Sequence, residues 1–202
     1  MARIVVPFRG SGAKLRLAPL GERERVELAL AMLADVLAAC VVAGEATVVV
    51  TDDARAVGLA RELGADAVDD PGTGQGPAVA TALARLEPGP ALVVNADLPS
   101  VVPHDLRALR RAIPADGLAY VPAGDGTTNA LGLAEPQLFA PLYGPGSAER
   151  FRAHARELRV IGLAVAIPSL AADVDTMADL RRLGLRAGPR TQAAISTLGL
   201  AA

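Results

Sequence analysis

Cysteine, tryptophan and lysine are almost absent from the 202-residue sequence, which contains one cysteine, no tryptophan and a single lysine, Lys14. One cysteine excludes an intrachain disulfide, and the apolar neighbours of Cys40 favour a small buried side chain. Two tyrosines and three phenylalanines provide few rings for stacking on single-stranded bases. The formal net charge is -2 and both signs are dispersed, which disfavours binding to nucleic acid or to an anionic membrane.

The sequence also lacks an unbroken apolar run of membrane-spanning length and a signal-peptide pattern, so we expect a cytoplasmic protein. A chain of about 200 residues can bury a core without disulfides or metal ions. We therefore expect one domain over residues 1–202. Within it, residues 184–202 are expected to form a loosely packed C-terminal tail.

Short β-branched runs alternate with helical patterns along most of the chain. The predicted strands span residues 2–7, 46–51, 65–68, 91–95, 117–121, 130–134 and 160–166. The predicted helices span residues 22–43, 54–63, 77–86, 103–113, 147–158 and 176–183, with Asp53, Ser147 and Asp175 as candidate N-caps. This alternation predicts a three-layer α/β fold. Its open, mostly parallel sheet would be covered on both faces and carry an antiparallel insertion at one edge after residue 121.

Lys14 lies in a glycine-bearing loop, residues 8–19, directly after the first predicted strand. Gly10 and Gly12 would let backbone amides approach a phosphate, while Lys14 and Arg16 add mobile positive charge. Leu15 stands where a P-loop has serine or threonine and where the dinucleotide fingerprint has its third glycine, which disfavours both motifs. The loop therefore predicts a nucleoside-triphosphate site of another kind, with a solvated surface lysine as the alternative.

Aspartates follow two predicted sheet-edge segments. Asp97 comes after the apolar run 91–95, where it could ligate Mg²⁺ bridging phosphate oxygens or serve as an ordinary turn residue. Asp173 and Asp175 alternate along an extended segment, so both carboxylates should point to one side. Two like charges facing one site favour a shared cation, although Asp175 could also cap the helix that follows.

Loops at the same predicted edge carry neutral hydrogen-bond donors. The segments are Gly126-Thr127-Thr128-Asn129 and Tyr143-Gly144-Pro145-Gly146-Ser147. Hydroxyls and glycine amides suit an anionic second substrate, and Ser147 opens a helix whose N-terminus attracts anions. The glycine-rich stretch 72–76, which includes Gln75 and Gly76, could contact a base or ribose. Ordinary turn chemistry explains these residues equally well.

Taken in order, the segments 13–19, 96–99, 126–131, 143–147 and 173–176 resemble those of the 2-phospho-L-lactate and phosphoenolpyruvate guanylyltransferases. Those enzymes act in the biosynthesis of the deazaflavin coenzyme factor 420. The resemblance extends over nearly the whole chain. It implies a Rossmann-like nucleotidyltransferase fold of the nucleotide-diphospho-sugar transferase type, akin to the molybdenum-cofactor guanylyltransferases. Leu15 departs from the serine common in relatives, and Arg9 takes the place of a further early lysine.

The resemblance also implies roles for individual residues. Asp97, Asp173 and Asp175 would hold two Mg²⁺ ions, and Lys14 and Arg16 would steady the triphosphate and act with Asp97 in catalysis. The expected nucleotide contacts are Gly10, Gly12, Lys14, Gln75 and Gly76, and the expected acid contacts are Gly144, Ser147 and either Thr128 or Asn129.

The sequence thus predicts an enzyme that joins GMP from GTP to phosphoenolpyruvate or 2-phospho-L-lactate, releases pyrophosphate and passes its product to a downstream biosynthetic enzyme. The loops suit 3-phosphoglycerate equally, but a composition typical of a high-GC genome favours phosphoenolpyruvate, as in actinobacterial relatives. The preference for guanine rests on the resemblance alone. Two alternatives remain: another nucleotidyltransferase, acting on a sugar phosphate or molybdopterin, and a non-catalytic nucleotide-binding subunit.

Overall fold

A computed structural model describes residues 3–10, 17, 20–44 and 46–200. The strands in this part of the chain are β1 (Arg3–Pro7), β2 (Ala46–Val50), β3 (Asp66–Val68), β4 (Ala91–Val94), β5 (Gly117–Pro122), β6 (Thr128–Leu133) and β7 (Ile161–Ala164). The α-helices are α1 (Glu22–Val42), α2 (Ala54–Leu63), α3 (Gln75–Leu83), α4 (Pro103–Ala112), α5 (Ser147–Leu158), α6 (Pro168–Ala171), α7 (Met177–Leu183) and α8 (Pro189–Thr197). Two 3₁₀ helices span Pro136–Leu138 and Gly184–Arg186.

The strands form one seven-stranded sheet in the order β3-β2-β1-β4-β6-β5-β7. Six strands run in the same direction, and β6 runs antiparallel to both of its neighbours, β4 and β5. The prediction of a mostly parallel sheet is therefore confirmed. The antiparallel strand differs from the prediction in its position, because it lies inside the sheet and β7 is the strand at that edge.

The sheet is buried on both faces, as continuous apolar strands require. Alternation sends Ile4 and Val6 of β1 to one face and Val5 to the other. The core on the first side of the sheet includes α1, α2, α4, α6, α7 and α8, of which α8 packs against α1, and the core on the second side includes α3 and α5. Because the chain leaves β1 toward β2 and later returns to place β4 on the other side of β1, a crevice opens at the carboxyl ends of β1 and β4.

Among the described helices, none has both the length and the apolar character that crossing a membrane requires.

Helix starts follow local capping chemistry. The Asp53 carboxylate accepts hydrogen bonds from the amides of Arg55 and Ala56, which confirms it as the N-cap of α2. For α7 the cap is Thr176 rather than Asp175, because the Thr176 hydroxyl pairs reciprocally with Asp179 in a capping box. Ser147 is the first residue inside α5, with Gly146 before it in a left-handed conformation.

Residues 184–202 are predicted to form a loosely packed tail, and the part of this range that the structure describes includes helix α8. Helix α8 packs against α1, and Ala194, Ile195 and Leu198 contact the main core. Buried Asp35 of α1 anchors the start of α8 by accepting hydrogen bonds from the amides of Arg190 and Thr191, at 3.1 and 2.8 Å. These contacts join residues more than 150 positions apart, so no local pattern indicates them.

Replacing Asp35 by alanine should therefore detach the C-terminal helix. The two amides would lose their acceptor, and we expect a loss of about 1–3 kcal/mol in the free energy of unfolding. Asp35→Asn keeps one acceptor oxygen, so its free energy of unfolding should lie between those of the wild-type protein and Asp35→Ala. Urea unfolding followed by circular dichroism measures both, with Asp66→Ala at an exposed strand start as control. Equal stability of the Asp35 and Asp66 variants would show that the anchor contributes nothing.

Candidate active site

Three carboxylates meet at the edge of the sheet where β4 ends. Asp97 follows β4, and Asp173 and Asp175 lie in the segment between α6 and α7. Each of the three offers a carboxylate oxygen, and these oxygens all lie within 4.8 Å of one another. Between the two later aspartates, Val174 is 1% exposed and its amide donates to the carbonyl of Asp97 at 3.0 Å. Burial of Val174 thus turns both neighbouring carboxylates toward Asp97.

The negative charges of this cluster repel one another. Burial raises the pKa of Asp173, and the negative charges of Asp97 and Asp175 raise it further. Asn129 opposes this shift, because its side-chain amide donates to Oδ1 of Asp173 at 3.0 Å and stabilises the charged form. Asn129 is 2% exposed, whereas Asp173 is half-buried, so the hydrogen bond is only partly screened from water.

The donor set fits a hard divalent cation. Mg²⁺ takes oxygen ligands, keeps several waters, and is usually held by a few carboxylates together with substrate phosphate. A cation placed among Asp97, Asp173 and Asp175 would also remove the mutual repulsion that raises the pKa of Asp173. The residues present therefore match the metal role that the sequence predicted for them.

A cavity of about 280 Å³ occupies the crevice between β1 and β4. Its apolar wall includes Ala29, Met32 and Ala78, and its polar wall includes Asp70, Gln75, Asn95 and Asp97. Such a crevice at the switch point of a parallel sheet is the usual position for a nucleotide.

A second cavity, of about 370 Å³, lies on the other side of the carboxylates. Gln75, Asn95 and Asp97 line both cavities, so the two adjoin beside the carboxylate cluster. The second cavity is also lined by all four residues expected to contact an acid, namely Thr128, Asn129, Gly144 and Ser147. Among its described lining residues there are four aspartates and no lysine or arginine. A negatively charged ligand here would require a cation from another source.

Two of those four residues, Thr128 and Ser147, form a hydrogen bond with each other. The hydroxyl of Ser147 donates to that of Thr128 at 3.2 Å, and both side chains are essentially buried. The amides of Ser147 and Ala148 donate to the carbonyls of Gly144 and Gly126. The first amides of α5 are thus bonded within the protein, and the N-terminus of this helix forms a tightly folded wall.

The expected nucleotide contacts fall into three groups. Gln75 lines both cavities, and its side-chain amide donates to Oδ1 of Asn95 at 2.7 Å. Gly10 and Gly76 are buried in close packing, since a Cβ would collide with Asp53 at the first and with Pro141 at the second. Gly12, Lys14 and Arg16 lie outside the described residues. The roles of these residues toward a nucleotide stay predictions.

Sequence reasoning missed the contributions of Asn95 and Asp70 to the cavity walls. Asn95 directly follows β4, and a polar residue ending a buried strand is a signal that could have identified it. Asp70 follows β3 and directly precedes a proline, a pattern typical of a turn. The structure supports the turn as well, because Oδ1 of Asp70 accepts from the amide of Gly72 at 2.8 Å.

Comparisons with known proteins agree with this geometry. A family profile described as "Guanylyl transferase CofC like" matches residues 2–196. The chain is 38% identical to the phosphoenolpyruvate guanylyltransferase of Geodermatophilus obscurus, with 94% of this chain and 92% of the relative covered. It is 41% identical to the enzyme of the same name from Thermomonospora curvata, with 94% and 86% covered.

The fold is shared more widely. A crystal structure from Desulfovibrio desulfuricans G20, described as a candidate nucleotide-diphospho-sugar transferase, superposes with a TM-score of 0.77 at 15% identity. The alignment covers 98% of this chain and 96% of that one. Identity this low supports the three-layer fold alone, whereas the family match and the closer relatives cover nearly the whole sequence. The chain therefore belongs to the CofC-like guanylyl transferase family, and it is a nucleotidyltransferase.

Proposed function

We propose that the protein transfers GMP from GTP to phosphoenolpyruvate, with 2-phospho-L-lactate as the alternative acceptor, and releases pyrophosphate. The names of the relatives support this proposal, since the chain covers most of the length of enzymes called phosphoenolpyruvate guanylyltransferase. The observation that carries it is the position of the three carboxylates where two cavities adjoin. One cavity would take the nucleotide and the other the acid, so that the reacting phosphates meet beside Asp97.

The reaction needs little covalent chemistry from the protein. An oxygen of the acid's phosphate attacks the α-phosphorus of GTP, and the bond from that phosphorus to the oxygen bridging to the β-phosphate breaks. The attacking oxygen is already anionic, so no proton has to be removed. Catalysis would then rest on holding the two anions in line and on stabilising charge as it moves to pyrophosphate.

Asp97, Asp173 and Asp175 would hold Mg²⁺, and the sequence predicts two ions. When bound, Mg²⁺ supplies positive charge against the phosphate oxygens. Val174 fixes the spacing of the two later aspartates, and Asn129 orients Asp173. Lys14 and Arg16 are proposed to steady the triphosphate from the loop that follows β1.

Product analysis tests the proposal directly. The purified protein would be given GTP and Mg²⁺ with phosphoenolpyruvate, 2-phospho-L-lactate and 3-phosphoglycerate in competition, and the products would be identified by mass spectrometry. We expect the guanosine-diphosphate-linked phosphoenolpyruvate and an equal amount of pyrophosphate. Transfer only to a sugar phosphate or molybdopterin would support the rival nucleotidyltransferase. Tight GTP binding without pyrophosphate release for any acceptor would support the non-catalytic subunit.

Removing divalent ions should greatly weaken binding of the acid even without GTP. The acid is an anion, and the described lining of its cavity carries four aspartates and no lysine or arginine. Repulsion between like charges costs several kcal/mol, so we expect affinity to fall by about a hundredfold or more in chelator. Calorimetry with phosphoenolpyruvate measures this, with NaCl replacing MgCl₂ at equal ionic strength as control. Equal affinity in chelator would contradict the assignment of this cavity to the acid.

The cytoplasmic location and the transfer of the product to a downstream enzyme stay predictions from the sequence.

A further inference from the structure

Arg150 holds the wall of the acid cavity from behind. It is the fourth residue of α5, and its guanidinium turns back toward the segment that precedes the helix. Nε donates to the carbonyl of Leu142 at 3.1 Å, and Nη2 donates to the carbonyls of Leu142 and Tyr143 at 2.7 and 3.0 Å. Nη1 donates to the carbonyl of Pro145. One side chain therefore bonds three carbonyls within four consecutive residues.

The position of this arginine is unfavourable without those carbonyls. A cation near the beginning of a helix opposes the helix dipole, which favours negative charge there. Arg152, two residues later on the same helix, shows the usual arrangement for an exposed arginine, an ion pair with Glu149 at 2.6 Å. The described contacts of Arg150 are to backbone carbonyls instead. The planar guanidinium has several N–H donors and can bond these carbonyls at the same time, whereas the single ammonium of a lysine cannot.

The segment that Arg150 contacts is fixed at one end by Tyr143, whose ring packs edge-on against Phe151, and continues through two glycines. Gly144 and Gly146 have φ angles of 109° and 70°, in the left-handed region where glycine is favoured. Glycines at both positions leave the unfolded segment many conformations, so ordering it costs entropy. Tyr143, Gly144 and Pro145 nevertheless form part of the acid cavity. A nitrogen of the Arg150 guanidinium lies 3.6 Å from where a Cβ of Gly144 would stand.

We propose that Arg150 is a positioning residue for the acid substrate: its bonds to three carbonyls keep the 142–146 segment in the conformation that shapes the acid cavity. This inference rests on the proposed function of that cavity. Arg150 itself does not line the cavity, so its effect is transmitted through the segment. Its loss should weaken acid binding and leave the nucleotide cavity and the carboxylate cluster unchanged.

Arg150→Lys tests the proposal because it keeps the charge and removes the fork. We expect the KM for phosphoenolpyruvate to rise about tenfold, as the loss of several hydrogen bonds to ordered carbonyls predicts, with kcat and the KM for GTP within about twofold. Arg150→Gln removes the charge and keeps one amide donor group, and it should raise the same KM. Hydrogen exchange of the five backbone amides within residues 142–147, where Pro145 has none, should be faster in both variants.

Arg152→Lys on the same helix is the matched control and should leave all four measurements unchanged. A normal KM for phosphoenolpyruvate in Arg150→Lys, with only Arg150→Gln impaired, would overturn the proposal in favour of a simple charge effect. Unchanged exchange in the 142–147 amides would overturn it as well. If the wild-type protein transfers GMP to none of the acids, the proposed function fails, and the exchange measurement still decides whether Arg150 orders the segment.

Discussion

Asp97→Asn is expected to lower the rate of guanylyl transfer about a thousandfold, because loss of a metal carboxylate removes several kcal/mol of charge stabilisation in the transition state. Asp175→Asn should have an effect of similar size. Both substitutions conserve shape, and the hydrogen bond between Val174 and the Asp97 backbone does not depend on either side chain. Single-turnover rates at saturating GTP, acid and Mg²⁺ measure the loss at the chemical step.

Unfolding measurements on the Asp97 and Asp175 variants distinguish loss of a metal ligand from loss of the fold. Three carboxylates with oxygens within 4.8 Å repel one another, so neutralising one should not lower the free energy of unfolding in chelator. In Mg²⁺ the wild-type protein should gain thermal stability and the variants should gain less, since ion binding to the native state raises stability. Asp66→Asn, at an exposed position, controls for a general effect of charge removal. Near-normal rates in both active-site variants would refute the metal assignment.

The carboxylate cluster was predictable from sequence because each part has a local signal. Asp97 ends a buried strand, and Asp173 and Asp175 flank an apolar residue in an extended segment. A parallel sheet brings the carboxyl ends of its strands to one edge, so the fold class was enough to place the aspartates together. Segment 173–175 follows the predicted strand 160–166, so the same rule assigned it to that edge, and the family resemblance added its metal role.

What the sequence did not predict depends on long-range contacts or on small differences in capping. Helix α3 begins at Gln75, two residues before its predicted start at Pro77, because proline is tolerated throughout the first helical turn and does not mark the first residue. Helix α8 was missed because its stability comes from Asp35 on a distant helix. Arg150 resembles any surface arginine in the sequence, and only the folded segment shows what it binds.

The second large effect is expected at Asn129, for which the sequence predicted contact with the acid. The structure gives it a contact with the metal site, the hydrogen bond to Oδ1 of Asp173. Its own Oδ1 lies 3.5 Å from the side-chain amide of Asn95, which orients the Asn129 amide group with its nitrogen toward Asp173. We therefore expect Asn129 to act mainly by holding one oxygen of Asp173 in place.

Asn129→Asp replaces the donor by a second carboxylate beside Asp173. The new carboxylate cannot donate to Asp173, but its charge also attracts the cation, so we expect the apparent Mg²⁺ affinity to fall no more than about tenfold. Asn129→Ala removes the bond and adds no charge, so its affinity should fall further, by up to about a hundredfold, the upper range for residues that orient metal ligands. Both values come from titrating the initial rate with Mg²⁺ at saturating GTP and acid.

Thr128→Val provides the matched comparison, because it alters the neighbouring residue and leaves Asp173 untouched. Thr128→Val removes the hydrogen bond with Ser147 in the wall of the acid cavity. It should therefore raise the KM for the acid and leave the Mg²⁺ requirement unchanged. The opposite result for Asn129, a raised KM for the acid with a normal Mg²⁺ requirement, would restore the direct substrate contact predicted from sequence. The two neighbouring residues thus separate metal positioning from acid binding, since β6 directs Asn129 toward Asp173 and Thr128 toward Ser147.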